Sequence, residues 1–424
     1  MKILFLLDEL YPNTSANSRI VYRVIDELLK YDDIEIKIMG RPITTEQLKI
    51  KEYKGCEVIH QPYLRSESFQ IDKKGIYKYK IARIIKYLIT PHNYWYKYRR
   101  IRYNQMPYDA ECIIYINGMI RRKEVDCIIA CSMPFYTLDI ASWFAKKLLV
   151  VFYMMEPYST LQHARWSNVP KMMQKEAALD DLANKIFAPP LVVKEYADIE
   201  PLNRNIDKFI PTEFPNIIKR IINDEFTDDL DKTKCHCFFI GKLYSNVRNP
   251  KFLFDIIRLL KNKDITLHCV GGINEDFSSE FVDEYLSGKI SNIVYHGEVS
   301  PGKADWYAQK ADILINIGNK EFNLLPSKLI DYVSMGKPII NISQIENCAT
   351  LPYMAKYPIG LQLFEEKEIT ENVLNKFEAF CVKNKGKQLS FEEVSSLYKE
   401  CTPDYVANLI LKTIKGNNII SKDC

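Results

Sequence analysis

The sequence predicts an α/β protein: two Rossmann-like, doubly wound domains facing across a cleft, with a C-terminal helix. Three observations predict the layering. Apolar runs of strand length recur in both halves, stretches of helical period separate most of them, and a charged stretch from Asn216 to Lys234 interrupts the series once. Strands that are apolar on both faces belong in parallel sheets covered by helices on both sides.

The first half opens with "KILFLLD" from Lys2, then a polar loop, then "SRIVYRVIDELLK", whose apolar residues recur at helical spacing. Further strands are expected at "IEIKIMG" from Ile34, "CEVIHQ" from Cys56, "DCIIACS" from Asp126, "LLVVFYMME" from Leu148, "KIFAP" from Lys185 and "KFIPTEF" from Lys208. After the charged stretch the alternation restarts with "CHCFFIGKL" at Cys235, "ITLHCVGG" at Ile265, "IVYHG" at Ile293, "DILINIG" at Asp312 and "KPIINIS" at Lys337. The helices between are "PKFLFDIIRLLKN", "SSEFVDEYLSGK", "ADWYAQKA" and "SKLIDYVSM". The tail ends in "TPDYVANLILKTIKG", with Thr402 as N-cap, Pro403 at the first helical position and Gly416 past the end. The expected division is a first domain at 1–215, a linker at 216–234, a second domain at 235–400, and a helix in 401–424 packing back on the first domain.

Composition narrows the class. With 424 residues and 47% apolar content, a disordered or fibrous chain is excluded. A net charge of +4 gives no global nucleic-acid signature, and no nucleic-acid partner is expected. Eleven irregularly spaced cysteines in so long a chain indicate a reducing compartment. The early apolar run Ile3 to Leu7 falls far short of the roughly 20 residues of a membrane span, so a cytoplasmic protein is expected.

Doubly wound sheets bind ligands outside the carboxyl ends of their strands. There the segment "NKEFNLLPSKLIDYVSMGKP", 319–338, places Pro326 at a helix start, leaving the amides around Ser327 and Lys328 open to an anion. Asp331 lies one turn on, suited to a ribose diol; the alternative is an ordinary capped helix with Asp331 in solvent. In "FFIGKLYSNVRNP", Gly241 permits a tight turn while Lys242 and Arg248 overhang the strand end as phosphate partners or as solvated charges. "CVGG" ends at Gly271 and Gly272, and "YHGEV" holds His296, Gly297 and Val299; bare backbone there would meet a flat base, or form simple turns. The strand-end acids Asp8 and Glu156 are candidate acceptor contacts or loop caps.

No GxxxxGK[ST] loop and no GxGxxG after the first strand occur, which removes the main signatures of ATPases and NAD dehydrogenases. Cys235 and Cys237 share one strand face while His236 points to the other, so these three do not converge on an ion. Cys127 and Cys131 read as inert core thiols, and no metal site is expected.

The segments "GKLYSNVRNP", "HGEVSPGKADWYAQKADILINI" and "PSKLIDYVSMGKPII" resemble the donor-site elements of GT-B glycosyltransferases, especially the retaining family-four type (glycosyl transferases group 1) of bacterial polysaccharide and lipid-linked sugar pathways. More weakly, "MKILFLLDELYP", "SRIVYRVIDELL" and "CSMPFYTLDIASWFAKK" with "VVFYMMEPY" are similar to that family's first half. The resemblance implies a hexosyl transfer, leaning to retention, from a UDP- or GDP-linked sugar to a glycan or lipid-linked acceptor. It implies no cofactor and no metal, with Lys242, Arg248, Lys328 and the helix start at Ser327 stabilising the leaving diphosphate.

The family pairs two glutamates seven residues apart; here Asp331 fits the second and Asn323 occupies the first, beside the donor sugar. The family's glycine-rich loop is replaced by "NTSANSR" from Asn13 to Arg19, which makes Ser15 an acceptor-side candidate, and Tyr136 stands near the place of the family's usual histidine. A nucleotide-sugar 2-epimerase of the same fold and an inactive nucleotide-sugar-binding partner subunit are the alternatives. Finally, Ile71 to Arg102 holds ten basic residues and one acid, interleaved with aromatics. That composition suits an anionic membrane surface, hence peripheral attachment at the inner face of the cell membrane, or a packed helix with a solvated basic edge.

Overall fold

The computed structural model describes residues 1–12, 15–42, 44–60, 107–132, 135–160, 168–220, 226–227, 230–245, 248–320, 322 and 324–420. The basic segment 71–102 and Asn323 lie outside the described residues. The chain forms two compact units, one of residues 1–215 with 403–424 and one of 216–402.

In the first unit the strands are β1 (Lys2–Glu9), β2 (Glu35–Arg41), β3 (Glu52–Tyr53), β4 (Cys56–His60), β5 (Cys127–Cys131), β6 (Leu149–Tyr153), β7 (Lys185–Ala188) and β8 (Phe209–Pro211). They form one sheet in the order β3-β4-β2-β1-β5-β6-β7-β8. Every pairing is parallel except β3 with β4. The helices are α1 (Ala16–Leu28), α2 (Pro107–Arg121), α3 (Tyr136–Ser142), α4 (Val169–Asp180) and α5 (Pro190–Ala197). The interior of β1 and all of β5 are buried, as a doubly covered parallel sheet demands.

The second unit holds β9 (Cys235–Ile240), β10 (Ile265–Val270), β11 (Ile293–Gly297), β12 (Ile313–Ile317), β13 (Ile339–Ser343) and β14 (Gly360–Phe364). Its sheet runs β11-β10-β9-β12-β13-β14, all parallel. The helices are α6 (Lys251–Leu259), α7 (Ser279–Tyr285), α8 (Pro301–Lys310), α9 (Ser327–Ser334), α10 (Leu351–Lys356), α11 (Glu371–Asn384) and α12 (Phe391–Leu397). The first strand of this unit, β9, has its sequence successor β10 on one side and β12 on the other. Strand order therefore reverses at β9, and the crevice of such a sheet lies at the carboxyl ends of β9 and β12.

The terminal helix α13 (Pro403–Ile420) belongs to the first unit, where Tyr31 Oη donates to Asn408 Oδ1 at 2.8 Å and Lys415 pairs with Asp33 at 2.7 Å. It runs through Gly416 instead of stopping there, because Gly416 keeps helical backbone and no left-handed cap forms. The stretch expected as a linker is attached from its start to the second unit: Ile218 N donates to Ser334 Oγ at 3.1 Å, and Ser334 Oγ donates back to Ile218 O at 2.7 Å.

A buried acid organises the loop after β6. Glu176 on α4 accepts from Ser159 N at 2.9 Å, from Ser159 Oγ, and from Tyr196 Oη at 2.6 Å, and Tyr196 Oη accepts from Tyr158 N at 3.1 Å. One turn along, Asp180 is buried too, and its Oδ2 has no hydrogen-bond partner among the described residues. Burial first, and then the charge of Glu176, holds Asp180 well above the usual carboxylate range. A carboxyl whose native pKa exceeds its unfolded value lowers stability as pH rises between the two, because the unfolded chain releases its proton first. Asp180→Asn is therefore expected to raise the unfolding midpoint at about pH 8, by the equivalent of about 1–3 kcal/mol, with a gain that shrinks towards about pH 4. Thermal unfolding followed by circular dichroism across that range checks it; a gain independent of pH would refute the buried-charge account.

Candidate functional site

The loops that leave β9, β10 and β11 are joined side by side through their backbones. Gly241 N donates to Val270 O at 2.8 Å, Gly271 N to Gly297 O at 2.8 Å, and Leu243 N to Gly272 O at 2.9 Å. This close approach explains Gly271: its φ is +135°, and a Cβ there would lie 2.2 Å from Gly241 O. The bare backbone of Gly271 is thus turned towards Gly241. Gly272 and Gly297 are different, since a Cβ on Gly272 would meet only Glu298 Oε2 at 3.8 Å and one on Gly297 would meet nothing within 4 Å. Among the described residues, open space lies at those two glycines. Val299 follows two residues beyond the end of β11 and is half-buried.

Two cations gather on this rim. Lys242 Nζ lies 5.7 Å, and the Arg248 guanidinium 5.6 Å, from the centroid of the Tyr244 ring, so one aromatic ring serves both cations. Lys242 is exposed. Arg248 is half-buried, its Nε is shut off from solvent, and it makes no salt bridge among the described residues. Burial lowers its pKa, against the opposing influence of Tyr244 and Tyr332. A guanidinium that gives up water without gaining a carboxylate destabilises the free protein and favours an incoming anion.

The start of α9 stands beside this strand end. Pro326 is its N-cap and offers no side-chain capping bond, at the end of a helix that favours an anion. The Tyr332 hydroxyl fixes the helix to β9: it accepts from Ile240 N at 3.0 Å and donates to Ile240 O at 3.0 Å. On the outer side Arg220 spans two helices, pairing with Asp331 at 2.7 Å and Asp305 at 3.1 Å. Asp331, read from the sequence as a ribose ligand, thus has one oxygen engaged by Arg220. Asn216 Nδ2 donates to Ser327 O at 3.4 Å. Lys328 lies on the first turn of the same helix, half-buried.

Three imidazoles cross the sheet beneath these loops. His236 Nε2 faces Asp231 O at 2.8 Å, His236 Nδ1 faces His268 Nε2 at 2.9 Å, His268 Nδ1 faces His296 Nε2 at 2.9 Å, and His296 Nδ1 faces Tyr307 Oη at 3.1 Å. A carbonyl only accepts, so in neutral rings the protons all run one way: Tyr307 to His296, His268, His236 and then Asp231 O. Phe238 stacks on His268 with centroids 4.4 Å apart and planes 11° off parallel. His296 has both nitrogens occupied in this chain and its ring stacked on His268, with centroids 5.2 Å apart.

In the first unit the strand-end candidates are individually held. Asp8 pairs with Arg41 at 2.7 Å, and burial pushes its carboxyl up to about 6 against the pull of that guanidinium. Ser15 caps α1 by accepting from Ser18 N at 3.3 Å, while Glu9 Oε2 accepts from Ser15 N at 2.6 Å, so backbone capping replaces a glycine-rich turn. Tyr136 opens α3 and packs on the core, and Glu156 is half-buried in the loop that Glu176 anchors. Tyr332, Arg220, Glu176 and the linking of His296 to His268, His236 and Tyr307 were not among the sequence candidates. Tyr332, Arg220 and Glu176 act through partners 17 to more than 100 residues away, and only Tyr332 carried a local hint, at the i+4 position after Lys328.

Residues 234–351, from the start of β9 to the beginning of α10, match the family described as glycosyl transferases group 1. The chain has the GT-B architecture, as solved structures of its full extent show. A glycosyltransferase from Rickettsia africae superposes with a TM-score of 0.60 at 14% identity, covering 98% of each chain. The HepE protein of Anabaena, in complex with UDP, gives 0.59 at 11% identity over 98% of this chain and 100% of that one. A putative UDP-N-acetylglucosamine 2-epimerase from Listeria monocytogenes gives 0.57 at 12% identity over 98% and 96%. No curated protein sequence matches the chain. The family match and the fold together support sugar transfer from a nucleotide sugar.

Arg248→Met is expected to weaken binding of a nucleoside diphosphate by roughly 10- to 150-fold, the equivalent of about 1.5–3 kcal/mol for a hydrogen bond to charge, while leaving the ligand-free protein as stable or more so. Calorimetric titration alongside thermal unfolding separates the two effects; a large loss of stability would show that the guanidinium is structural. Tyr332→Phe leaves Ile240 N–H and C=O without their partner and should cost about 1–3 kcal/mol in denaturant unfolding, with a parallel loss of nucleotide affinity. Affinity unchanged at reduced stability would uncouple the clamp from the site.

Proposed function

We propose that this chain is a glycosyltransferase that moves a hexosyl group from a UDP- or GDP-linked sugar to a glycan or lipid-linked acceptor, in synthesis of a bacterial surface polysaccharide or glycoconjugate. The observation that supports it most is the Arg248 guanidinium, partly desolvated and with no carboxylate paired to it among the described residues, in the loop after the first strand of the unit that matches the family. In the reaction the bond from the anomeric carbon to the diphosphate oxygen breaks and one to the acceptor oxygen forms, the acceptor giving up its proton. Negative charge builds on the diphosphate, and Lys242, Arg248, Lys328 and the first amides of α9 would stabilise it there. These cations would serve in place of a metal ion, and the family resemblance favours retained configuration. Gly272, Gly297 and Val299 would line the base, Asp331 the ribose and Asn323 the sugar, with Asp8, Ser15, Tyr136 and Glu156 on the acceptor side. No helix among the described residues is long and apolar enough to cross a membrane. Contact with an anionic membrane would fall to the basic segment 71–102.

A thermal-shift screen of UDP- and GDP-sugars, with and without a chelator, is the direct test. A donor present at 100 times its Kd should add about 2.7 kcal/mol of stability, undiminished by the chelator. Turnover should then require an acceptor. Epimerised sugar from donor alone would replace this reading by the 2-epimerase, and binding without turnover would favour an inactive partner subunit. No shift with any donor would sink all three. Neutralising Lys97, Arg99, Arg100 and Arg102 should reduce sedimentation with anionic vesicles, and unchanged sedimentation would remove the membrane role.

A further inference from the structure

At the opposite end of β9 from the loops described above, three buried thiols meet. Cys235 and Cys237, two residues apart on one strand face, are joined by Cys381 from α11. The three sulfurs lie within 4.8 Å of one another, with Cys237 Sγ and Cys381 Sγ 3.8 Å apart. Exposure of the three residues is 6%, 0% and 0%. Sequence reasoning had only the first two, and it correctly set His236 on the far face, where His268 and Asp231 O occupy its nitrogens. The third thiol comes from 144 residues away.

We propose that Cys235, Cys237 and Cys381 form a three-coordinate thiolate site for a soft cation, with Cu(I) the ion that the geometry fits. Three thiolates around an ion in their plane, at a metal–sulfur distance of about 2.3 Å, stand about 4.0 Å apart, close to the spacing already present. An all-sulfur ligand set selects soft ions. Among the described residues no further His, Cys, Asp or Glu joins the cluster, which disfavours Zn(II) with its demand for a fourth ligand. Excess negative charge has a neighbour: the Lys385 ammonium, just past the end of α11, is held by Lys232 O at 3.0 Å and Thr233 O at 2.9 Å and acts electrostatically on Cys235. On binding, each thiol exchanges its proton for a bond to the ion and the proton leaves to solvent, so affinity rises with pH. The rise per residue of a strand puts Gly241 roughly 13 Å from Cys237, so the ion would brace the sheet without touching the sugar-transfer chemistry.

The experiment is an anaerobic titration of the reduced full-length protein with Cu(I) against a chelator of known affinity, followed by thiolate-to-metal charge-transfer absorption. One tight equivalent per chain is expected. It should weaken by more than roughly 100-fold in Cys381→Ala, beyond what loss of an outer contact produces, and survive in Cys127→Ala and Cys269→Ala, whose thiols lie elsewhere in the cores. Cys235→Ser, at the more exposed corner of the cluster, provides a second variant should Cys381→Ala fail to fold. Absence of a tight equivalent, or its persistence in both cluster variants, overturns the proposal.

Discussion

The hydroxyl of Tyr332 closes the hydrogen bonding of a strand from the side. Ile240 is the last residue of β9, and its N–H and C=O both end on this one side-chain oxygen. Buried backbone groups must find partners, and a side chain that supplies both fixes where the strand stops and how close the helix comes. Because Tyr332 sits one turn after Lys328, the same contact fixes the start of α9. Gly241 and Lys242 leave the sheet at the clamped residue. Arg248 then returns close enough to act electrostatically on Tyr332. The cationic rim is thus a consequence of one donor–acceptor pair, and the strap of residues 216–220 holds the other flank of the helix through Ser334, Ser327 and Asp331.

Polar side chains inside this sheet follow the same rule. Three histidines on adjacent strands would be costly in an apolar layer, yet each nitrogen finds a partner because the parallel register brings His236 beside Thr266 and His268 beside Val294, with the rings linked diagonally. On the far side Asn341 Nδ2 reaches Thr350 Oγ1 at 2.8 Å and Gln362 Oε1 at 2.7 Å, and its Oδ1 accepts from Asn316 at 2.6 Å. Networks of this kind specify register, since a slip by one residue would strand every member.

Much of the fold was legible because its cause is local. The apolar runs at Lys2, Cys127, Cys235 and Ile313 are strands, since only burial on both faces accounts for their composition. β3 is two residues long and pairs at an edge, and β14, "GLQLF", mixes a glutamine into a half-exposed edge strand, so neither carries that signature. Within the site, Gly241, Lys242, Arg248 and Pro326 to Asp331 were legible as turn, charge and helix start. What was not legible is pairing across the chain. Nothing local to Asp331 reveals Arg220, nothing near Cys237 reveals Cys381, and nothing in "YHGEV" shows that both nitrogens of His296 are already engaged.

Charge is arranged oppositely in the two units, and the reason is the same in both. In the first, Glu176 spends its carboxylate on a loop while Asp180 and Asp8 are lifted in pKa by burial. In the second, Arg248 is desolvated with no acid paired to it among the described residues, while Asp331 and Asp305 are both paired with Arg220. A sequence under pressure for stability alone would give Arg248 a carboxylate or replace it with an apolar side chain, since either change relieves a buried charge. Under the proposed function, the charge that meets this guanidinium, beside a helix start and the glycine backbone, is that of the ligand's diphosphate.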